Sequence, residues 1–276
     1  MKANSLSISL PYAGCNKNCP YCVSKMTGIP DNKENDYHFF LKNIEKAKTI
    51  ADHADVSSVL LTGKGEPLLC QEAIHDVCKV FKNYPIEIQT NGILLEESIG
   101  FISQNYIDTI AVSIDSMEQL VSLKSCFEEY SKLNINIRIT VNLVNKITKN
   151  YYIREFIKFC EEAHVSQLSF RCITAPDFAV NTEEGIKARK WIRENVDPYL
   201  ESSFLLAFNN IISAEGIFIR ELSFGSKIYM INGISCVSFE KCIQENSKES
   251  DIRSLIYWED GHLSTSWLGS NYGRIF

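Results

Sequence analysis

The sequence predicts an α/β fold, a partial (β/α)6 TIM-like barrel with a C-terminal antiparallel β extension. From the start of the chain to about residue 175, short β-rich runs alternate with amphipathic stretches, and such alternation predicts a parallel sheet covered by helices. Six units are too few to close an eight-stranded barrel, so we expect an open one. After residue 175 one helical stretch is followed by strand signals without intervening helices, which is typical of antiparallel hairpins.

The six predicted strands are apolar, β-branched segments. They lie at 5–12 (SLSISLPY), 57–63 (SSVLLTG), 86–92 (IEIQTNG), 109–115 (TIAVSID), 135–144 (INIRITVNLV) and 167–173 (QLSFRCI). The stretches between them have helical spacing of apolar residues. They predict helices over 33–53, 70–83, 95–105, 116–132 and 151–164. We therefore expect residues at the ends of these strands to share one rim, where barrel active sites are built.

The C-terminal part begins with a predicted helix over 182–201. Asn232-Gly233 then lies between two apolar runs, which is a strong signal for a β-hairpin. Asp260-Gly261 predicts a second hairpin in the same way. We expect two domains, a barrel over 1–175 that carries the active site and a helix-plus-hairpin region over 176–276 that caps it and contacts the substrate.

Composition and charge exclude several classes of protein. Hydrophobic residues make up 45% and charged residues 22% of the chain, which is ordinary for a globular protein. The net charge of −6 argues against tight binding of a long nucleic acid. No signal peptide is evident, and no apolar run reaches the length of about 18 residues that a membrane span requires. We expect a cytoplasmic protein whose thiols are reduced.

Three of the ten cysteines lie within nine residues, in GCNKNCPYC (14–22). A disulfide framework, a zinc site and an iron–sulfur cluster are the alternatives. A closed zinc site needs four ligands, and no second pair of ligands lies nearby. Cys15, Cys19 and Cys22 suit a 4Fe-4S cluster in which one iron lacks a protein ligand and is open for chemistry. A zinc loop and unrelated thiols remain alternatives at this point.

A second motif, TGKGEPLL, follows the second predicted strand. Its glycines let the backbone approach a ligand, and the carboxylate of Glu66 beside them can accept a hydrogen bond from an ammonium group. Polar residues then end later strands, namely Gln89 to Gly92, Ser113, Asp115, Asn142 and Arg171. Short polar side chains can bond a ribose, and an arginine can pair with a carboxylate.

These segments together resemble the radical S-adenosyl-L-methionine (SAM) enzyme superfamily. The cysteine spacing, with Tyr21 before the last thiol, is similar to the family's cluster loop. Gly63, Gly65, Glu66 and Pro67 resemble its Gly-Gly-Glu-Pro segment, although Lys64 stands where a glycine is usual.

The resemblance implies that Cys15, Cys19 and Cys22 hold a 4Fe-4S cluster and that Glu66 orients SAM. It also implies that Ser113, Asn142 and Arg171 contact SAM and that Tyr21 packs beside the cluster, with its backbone near adenine. An external one-electron donor, similar to a flavodoxin or ferredoxin, would reduce the cluster. Cleavage of SAM would give methionine and a 5′-deoxyadenosyl radical that abstracts hydrogen from a substrate. Such an enzyme is expected to be oxygen-sensitive.

The remaining cysteines have a separate interpretation. Cys70, Cys78, Cys126 and Cys160 lie on predicted helices, where a free thiol behaves as a small hydrophobe. Cys172, Cys236 and Cys242 form an incomplete set of ligands for a second cluster.

The substrate is predicted less directly. A small molecule, such as a nucleoside or a cofactor precursor, is the first expectation, because the sequence offers neither a Cys-rich extension nor a leader-binding domain before the barrel. Alternatives are modification of a peptide or protein, including glycyl-radical activation, then RNA modification. A non-catalytic iron–sulfur redox sensor is the alternative outside the class of enzymes.

Overall fold

The computed structural model describes residues 2–28, 37–176, 179, 181–222, 225–239, 252–269 and 271–276. The strands are β1 (Ala3–Ser9), β2 (Val59–Thr62), β3 (Ile86–Thr90), β4 (Thr109–Ile114), β5 (Asn136–Asn142), β6 (Gln167–Arg171), β7 (Ile217–Glu221), β8 (Lys227–Ile231), β9 (Ile234–Phe239), β10 (Ile252–Tyr257) and β11 (Leu263–Ser264). The helices are α1 (Val23–Thr27), α2 (Tyr37–His53), α3 (Gln71–Val80), α4 (Ile99–Gln104), α5 (Met117–Ser122), α6 (Lys124–Lys132), α7 (Asn145–Asn150), α8 (Ile153–Glu162), α9 (Glu183–Asn195) and α10 (Pro198–Glu215).

All the strands belong to one sheet of order β11-β10-β1-β2-β3-β4-β5-β6-β9-β8-β7. The strands from β10 through β1 to β6 and on to β9 are parallel. The predicted mixed α/β fold with a parallel sheet is therefore confirmed. The order β1 to β6 brings the carboxyl ends of the six predicted strands to one edge of the sheet.

The C-terminal hairpins form, but they do not pack on the sheet as a separate layer. The β8–β9 and β10–β11 pairs are antiparallel, as predicted. Strand β9 however pairs in parallel with β6, and β10 pairs in parallel with β1, so the two hairpins extend opposite edges of the sheet. A strand edge presents unpaired backbone donors and acceptors, and pairing satisfies them. The partner of such an edge is not encoded in local sequence.

The sheet curves. Strands β10 and β6 lie six positions apart in the sheet, which would separate them by roughly 29 Å if the sheet were flat. Arg253 of β10 and Arg171 of β6 nevertheless line one cavity. This curvature is consistent with the predicted partial barrel.

The two faces of the sheet differ in polarity. In β1, Leu6 and Ile8 are fully buried in the apolar core, and Tyr257, the register partner of Ile8, lies 5.3 Å from the ring of Phe40 in α2. The alternating serines face the other way. Ser7 bonds Ser254 across β1 and β10 at 2.9 Å. One face thus packs against helices and the other forms a wall of hydroxyl groups.

Two predicted helices are divided. The 116–132 stretch forms α5 and α6, which meet at Leu123. The 182–201 stretch breaks before Pro198, and α10 then continues to Glu215. Asp197 caps α10 by accepting from the Tyr199 N–H at 2.9 Å, and proline is favoured at the first helical position because its missing N–H is not needed there.

The Asn232-Gly233 hairpin has the expected turn. Both residues have positive φ, 51° and 81°, and Ile231 pairs with Ile234 across them. This is the geometry of a two-residue type I′ turn, which favours Asn-Gly. Among the described helices, none has the length and apolar character needed to cross a membrane.

Candidate active site

The loop that follows β1 carries the three clustered thiols. Cys15 is exposed, while Cys19 and Cys22 are half-buried. The Cys22 N–H donates to the Cys19 carbonyl at 3.3 Å, and α1 begins at the next residue, Val23. Lys25 fixes the turn by donating to the Cys19 carbonyl at 2.8 Å. Burial, then Asp115 and then the thiols of Cys22 and Cys15, raise the pKa of Cys19 to about 11, and Lys17 opposes this. The three thiols therefore lie close enough to interact.

The thiol loop packs directly on the TGKGEPLL segment. The Glu66 N–H donates to the Gly14 carbonyl at 2.9 Å. A Cβ at Gly65 would lie 2.1 Å from that same oxygen, whereas one at Gly63 would meet nothing nearer than 3.6 Å. Gly65 is therefore the position at which a side chain cannot be accommodated, because two loop backbones touch there.

The carboxylate of Glu66 is buried and points into the protein. It accepts from Thr90 Oγ1 at 2.6 Å, from the Asn91 N–H at 2.9 Å and from the Leu68 N–H at 3.1 Å. Burial raises its pKa, and these hydrogen bonds oppose the shift. Glu66 thus connects its own loop to the end of β3. Its predicted contact with SAM stays a prediction, and Pro67 beside it is buried at the start of a 3₁₀ turn.

Tyr21 belongs to a polar network at the ends of β4 and β5. Its hydroxyl donates to Asp115, and Asn142 donates to Asp115 at 2.8 Å and to the Tyr21 hydroxyl at 3.3 Å. The pKa of Tyr21 is raised by burial first and then by Asp115, which keeps the proton on the phenol. Its ring lies 5.2 Å from that of Trp191 in α9. The sequence analysis predicted Tyr21 and Asn142 near the site, but not their link through Asp115.

Gln119 is a second organising residue that the sequence analysis missed. Its amide donates to the carbonyls of Asn91 at 2.9 Å and Ser113 at 3.0 Å, and its oxygen accepts from the Asp115 N–H at 3.0 Å. Lys17 of the thiol loop donates to the same oxygen at 3.4 Å and forms an ion pair with Asp115. A glutamine on a helix carries no sequence signal for such a role.

A cavity of about 680 Å³ lies beside the thiols on the polar face of the sheet. Six of the predicted site residues line it, namely Cys15, Cys22, Gly63, Gly65, Ser113 and Arg171. Strand β5 ends at Asn142 and β6 at Arg171, and these two residues are register partners. Their contact with SAM stays a prediction.

The C-terminal strands also reach this site. Glu259, buried just after β10, accepts from Ser9 Oγ at 2.8 Å and lies 3.8 Å from the ammonium group of Lys64. The same ammonium group lies 5.8 Å from the centre of the Trp258 ring. Lys64, the departure from the family's glycine pattern, is therefore held by residues of the C-terminal region.

Two of the three cysteines of the possible second ligand set belong to the described residues. Cys236 is fully buried, and burial, then the neighbouring thiol of Cys236, raise the pKa of Cys160 in α8. Cys172 is also buried. Cys242 lies outside the described residues, so the second cluster stays a prediction.

The donors of the thiol loop fit a 4Fe-4S cluster. Three neighbouring thiols can each bind one iron and leave a fourth without a protein ligand. Among the described residues no three His, Cys, Asp or Glu side chains are grouped to hold a single metal ion. Lys17 lowers the pKa of the Cys19 thiol, but burial and Asp115 outweigh this effect.

Comparisons with known proteins agree with this geometry. The radical SAM superfamily model matches residues 9–184. The chain is 29% identical over 171 residues to a GTP 3′,8-cyclase of Clostridium perfringens, which covers 52% of each protein. It is 33% identical over 105 residues to a 7-carboxy-7-deazaguanine synthase of Clostridium acetobutylicum, which covers 37% of this chain and 44% of that protein. The chain thus spans about half the length of the curated relatives it matches.

Solved structures show the same fold. Streptococcus suis SuiB bound to S-adenosylmethionine matches 99% of this chain and 63% of its own, with a TM-score of 0.61 and 14% identity. SuiB bound to its precursor peptide SuiA matches with a TM-score of 0.58. The family model covers more than half of the chain. The chain therefore belongs to the radical SAM superfamily, and it is an enzyme of the class that uses a 4Fe-4S cluster and S-adenosyl-L-methionine.

Proposed function

We propose that this enzyme generates a 5′-deoxyadenosyl radical that removes a hydrogen atom from a small molecule, a nucleoside or a cofactor precursor. The observation that carries the proposal is the cavity of about 680 Å³ that Cys15 and Cys22 border. Its volume lies within the range of small-molecule sites, about 300–1,000 Å³. Two groups of relatives, the GTP 3′,8-cyclases and the 7-carboxy-7-deazaguanine synthases, bear the names of small-molecule reactions.

In this proposal Cys15, Cys19 and Cys22 hold the cluster. SAM lies in the adjoining part of the cavity, and the two cofactors together supply the radical. The backbone at Gly63 and Gly65 lies beside SAM, and Ser113 and Arg171 offer a hydroxyl and a guanidinium for its ribose and its carboxylate.

The residues behind this surface have a positioning role in the proposal. Glu66 connects the loops after β2 and β3 by hydrogen bonds. It orients SAM either by holding these loops in place or by contacting SAM directly. Asn142 and Tyr21 fix Asp115 and through it Lys17 of the thiol loop. An external one-electron donor reduces the cluster, and a cytoplasmic location would keep the thiols reduced.

Anaerobic reconstitution tests the proposal. The protein is loaded with iron and sulfide, reduced with dithionite and given SAM, and 5′-deoxyadenosine is measured by chromatography. We expect slow formation without substrate and a change in the spectrum of the reduced cluster when SAM binds. Absence of both would favour the redox sensor over the enzyme. Purine nucleosides and nucleotides are then added, and we expect one of them to accelerate 5′-deoxyadenosine formation.

A peptide substrate is the second candidate, and one feature favours it. Strand β7 is the last strand of the sheet among the described residues, and its side chains Ile217, Phe218 and Ile219 are exposed by 71%, 52% and 49%. An exposed edge strand can pair with an extended peptide. SuiB, which shares the fold, was solved with a precursor peptide. Acceleration by a pool of random peptides, and not by nucleosides, would favour this candidate.

A further inference from the structure

Two tryptophan side chains from the C-terminal region line the same cavity as the thiols. Trp258 directly follows β10, and Trp267 follows β11. Both belong to the cavity lining together with Cys15 and Cys22, and among the lining residues that the structure describes they are the aromatic ones. The two indole rings lie 5.7 Å apart with an angle of 73° between their planes, which is an edge-to-face contact.

Trp258 is held in place from several sides. It is 5% exposed, and its indole N–H donates to Ser264 Oγ at 2.8 Å. Its backbone N–H donates to the His262 carbonyl at 2.8 Å. The ammonium group of Lys64 lies over its ring, 5.8 Å from the ring centre. Trp258 is therefore a fixed support against which Trp267 packs.

Trp267 is the more open of the two rings, because it is half-buried. In an edge-to-face contact one ring covers at most one face of the other, so at least one face of Trp267 is not covered by Trp258. The segment around it is tied to the end of the chain, since the Thr265 N–H donates to the Gly273 carbonyl at 3.0 Å. Trp267 thus presents a flat apolar surface to the cavity from a segment that is already positioned.

This surface lies away from the strands that are expected to contact SAM. In the proposed function Ser113 and Arg171 bind the ribose and the carboxylate of SAM, and they belong to β4 and β6. Adenine is expected near Tyr21, whose hydroxyl donates to Asp115 just after β4. Strands β10 and β11 instead extend the sheet beyond β1, at its other side. A ligand on Trp267 would therefore share the cavity with SAM without taking the place of its adenine.

We infer that Trp267 stacks on a planar heteroaromatic ring of the substrate, of the size of a nucleobase. The inference rests on the proposed small-molecule function and deepens it by naming the substrate class. Stacking on an indole suits any flat ring, because each has a π-face, and such a contact strengthens binding roughly tenfold. Lys64, which lines the same part of the cavity, offers an N–H donor to an oxygen or nitrogen of that ring.

Calorimetry on the anaerobically reconstituted enzyme with SAM bound tests this inference. The probes are guanosine 5′-monophosphate, uridine 5′-monophosphate and ribose 5-phosphate, which has the same sugar and phosphate but no base. Bound SAM keeps the nucleotides out of the adenine position. We compare the wild type with Trp267→Leu, Trp267→Phe and Tyr199→Leu. The last is a matched control, because Tyr199 is 85% exposed on α10 and is not among the residues that line the cavity.

We expect at least one nucleotide to bind the wild type more tightly than ribose 5-phosphate. Trp267→Leu should weaken that nucleotide about tenfold, because stacking on the indole is lost. Trp267→Phe keeps a smaller ring and a contact for Trp258, so it should weaken the nucleotide less and fold even where the leucine variant does not. Tyr199→Leu should leave all Kd values unchanged, and both Trp267 variants should bind SAM and ribose 5-phosphate within about twofold of the wild type.

Three outcomes would overturn the inference. They are nucleotide binding no tighter than that of ribose 5-phosphate, equal weakening of the nucleotide by Tyr199→Leu, and a loss of SAM affinity in the Trp267 variants as large as the loss for the nucleotide. The last would assign Trp267 to the adenine of SAM. Formation of 5′-deoxyadenosine without substrate, measured on the same preparations, separates a failure of this inference from a failure of the proposed function.

Discussion

The loops at the carboxyl ends of β1 to β4 and the C-terminal strands that face the same cavity are built differently. In the loops, side chains are fixed by buried hydrogen bonds, and the Glu66 carboxylate alone accepts three. Strand β7 is exposed along its whole length. The buried Glu201 of α10, on the C-terminal side, accepts one hydrogen bond within the described structure, from the Ile173 N–H at 2.8 Å.

This difference is consistent with separate roles for the two regions, cofactor binding in the loops and substrate contact in the C-terminal strands. In the proposed function the loops hold a cluster and SAM in one geometry. Side chains that are already fixed before binding favour this, because few of them have to be ordered when the cofactors bind. A substrate wall can be more open and can differ between members of a family. The following changes test whether the two regions respond as differently as their structures suggest.

The largest effect is expected at the thiol loop. Cys19→Ala removes one of three proposed ligands, and we expect loss of the cluster's visible absorbance and of 5′-deoxyadenosine formation to background. Cys126→Ala is the control, since that thiol is buried on α6 away from the loop. Full iron content in Cys19→Ala would contradict the ligand assignment.

The next effect is expected where the two loops touch. Gly65→Ala places a methyl group 2.1 Å from the Gly14 carbonyl oxygen, so the thiol loop must move away. Overpacking of this kind costs about 1–3 kcal/mol of unfolding free energy, and we also expect cluster retention to fall, measured as iron per chain.

Gly100→Ala makes the same chemical change on α4, where nothing lies within 4 Å of the new methyl group. It should leave iron retention unchanged and stability equal or slightly higher, because alanine favours a helix more than glycine does. Equal losses in the two variants would show that the contact at Gly65 has no special role.

A pH-dependent effect is expected on the C-terminal side. Burial, and then the charge of Asp197, raise the pKa of Glu201 to about 7, against about 4.3 in an unfolded chain. The folded protein therefore binds this proton more tightly. Below about pH 4.3 Glu201 is protonated in both the folded and the unfolded chain, so its burial costs little folding free energy. As the pH rises towards 7, the unfolded chain loses this proton first, and the free energy of unfolding falls.

Glu201→Gln replaces the titrating carboxyl group by a neutral amide, so the free energy of unfolding should depend less on pH. We expect it to gain on the order of 3 kcal/mol relative to the wild type between pH 4.5 and pH 7, measured by urea unfolding at both values. Parallel pH profiles for the two proteins would show that Glu201 titrates normally in the folded state.

The smallest effect is expected on the exposed strand. Ile219→Ser changes a side chain that is 49% exposed on β7, and surface changes of this kind alter stability by about 0.5 kcal/mol or less. Thermal unfolding measures this directly. A loss of several kcal/mol would show that β7 is covered in the folded protein and would remove the contrast between the two regions.

Much of the site could be predicted from short segments. The spacing of Cys15, Cys19 and Cys22, the Gly65-Glu66 pair and Arg171 at a strand end are local features, and the structure brings Cys15, Cys22, Gly65 and Arg171 to one cavity. The role of Glu66 could not be predicted in this way. A carboxylate at this position can contact a ligand or stabilise a loop. The hydrogen bonds from Thr90 and Asn91 show that Glu66 stabilises the loop, and they are visible only in the tertiary structure.

The sequence by itself determined the alternation of strands and helices, the Asn232-Gly233 turn and the thiol loop, because periodicity, turn chemistry and residue spacing act over short distances. Only the tertiary structure decided that β10 pairs with β1, that Glu259 bonds Ser9 and holds Lys64, and that Arg253 and Arg171 line one cavity. These contacts join residues up to 250 positions apart in the chain. They depend on which sheet edges remain to be paired and on how the sheet curves, and no local pattern records either.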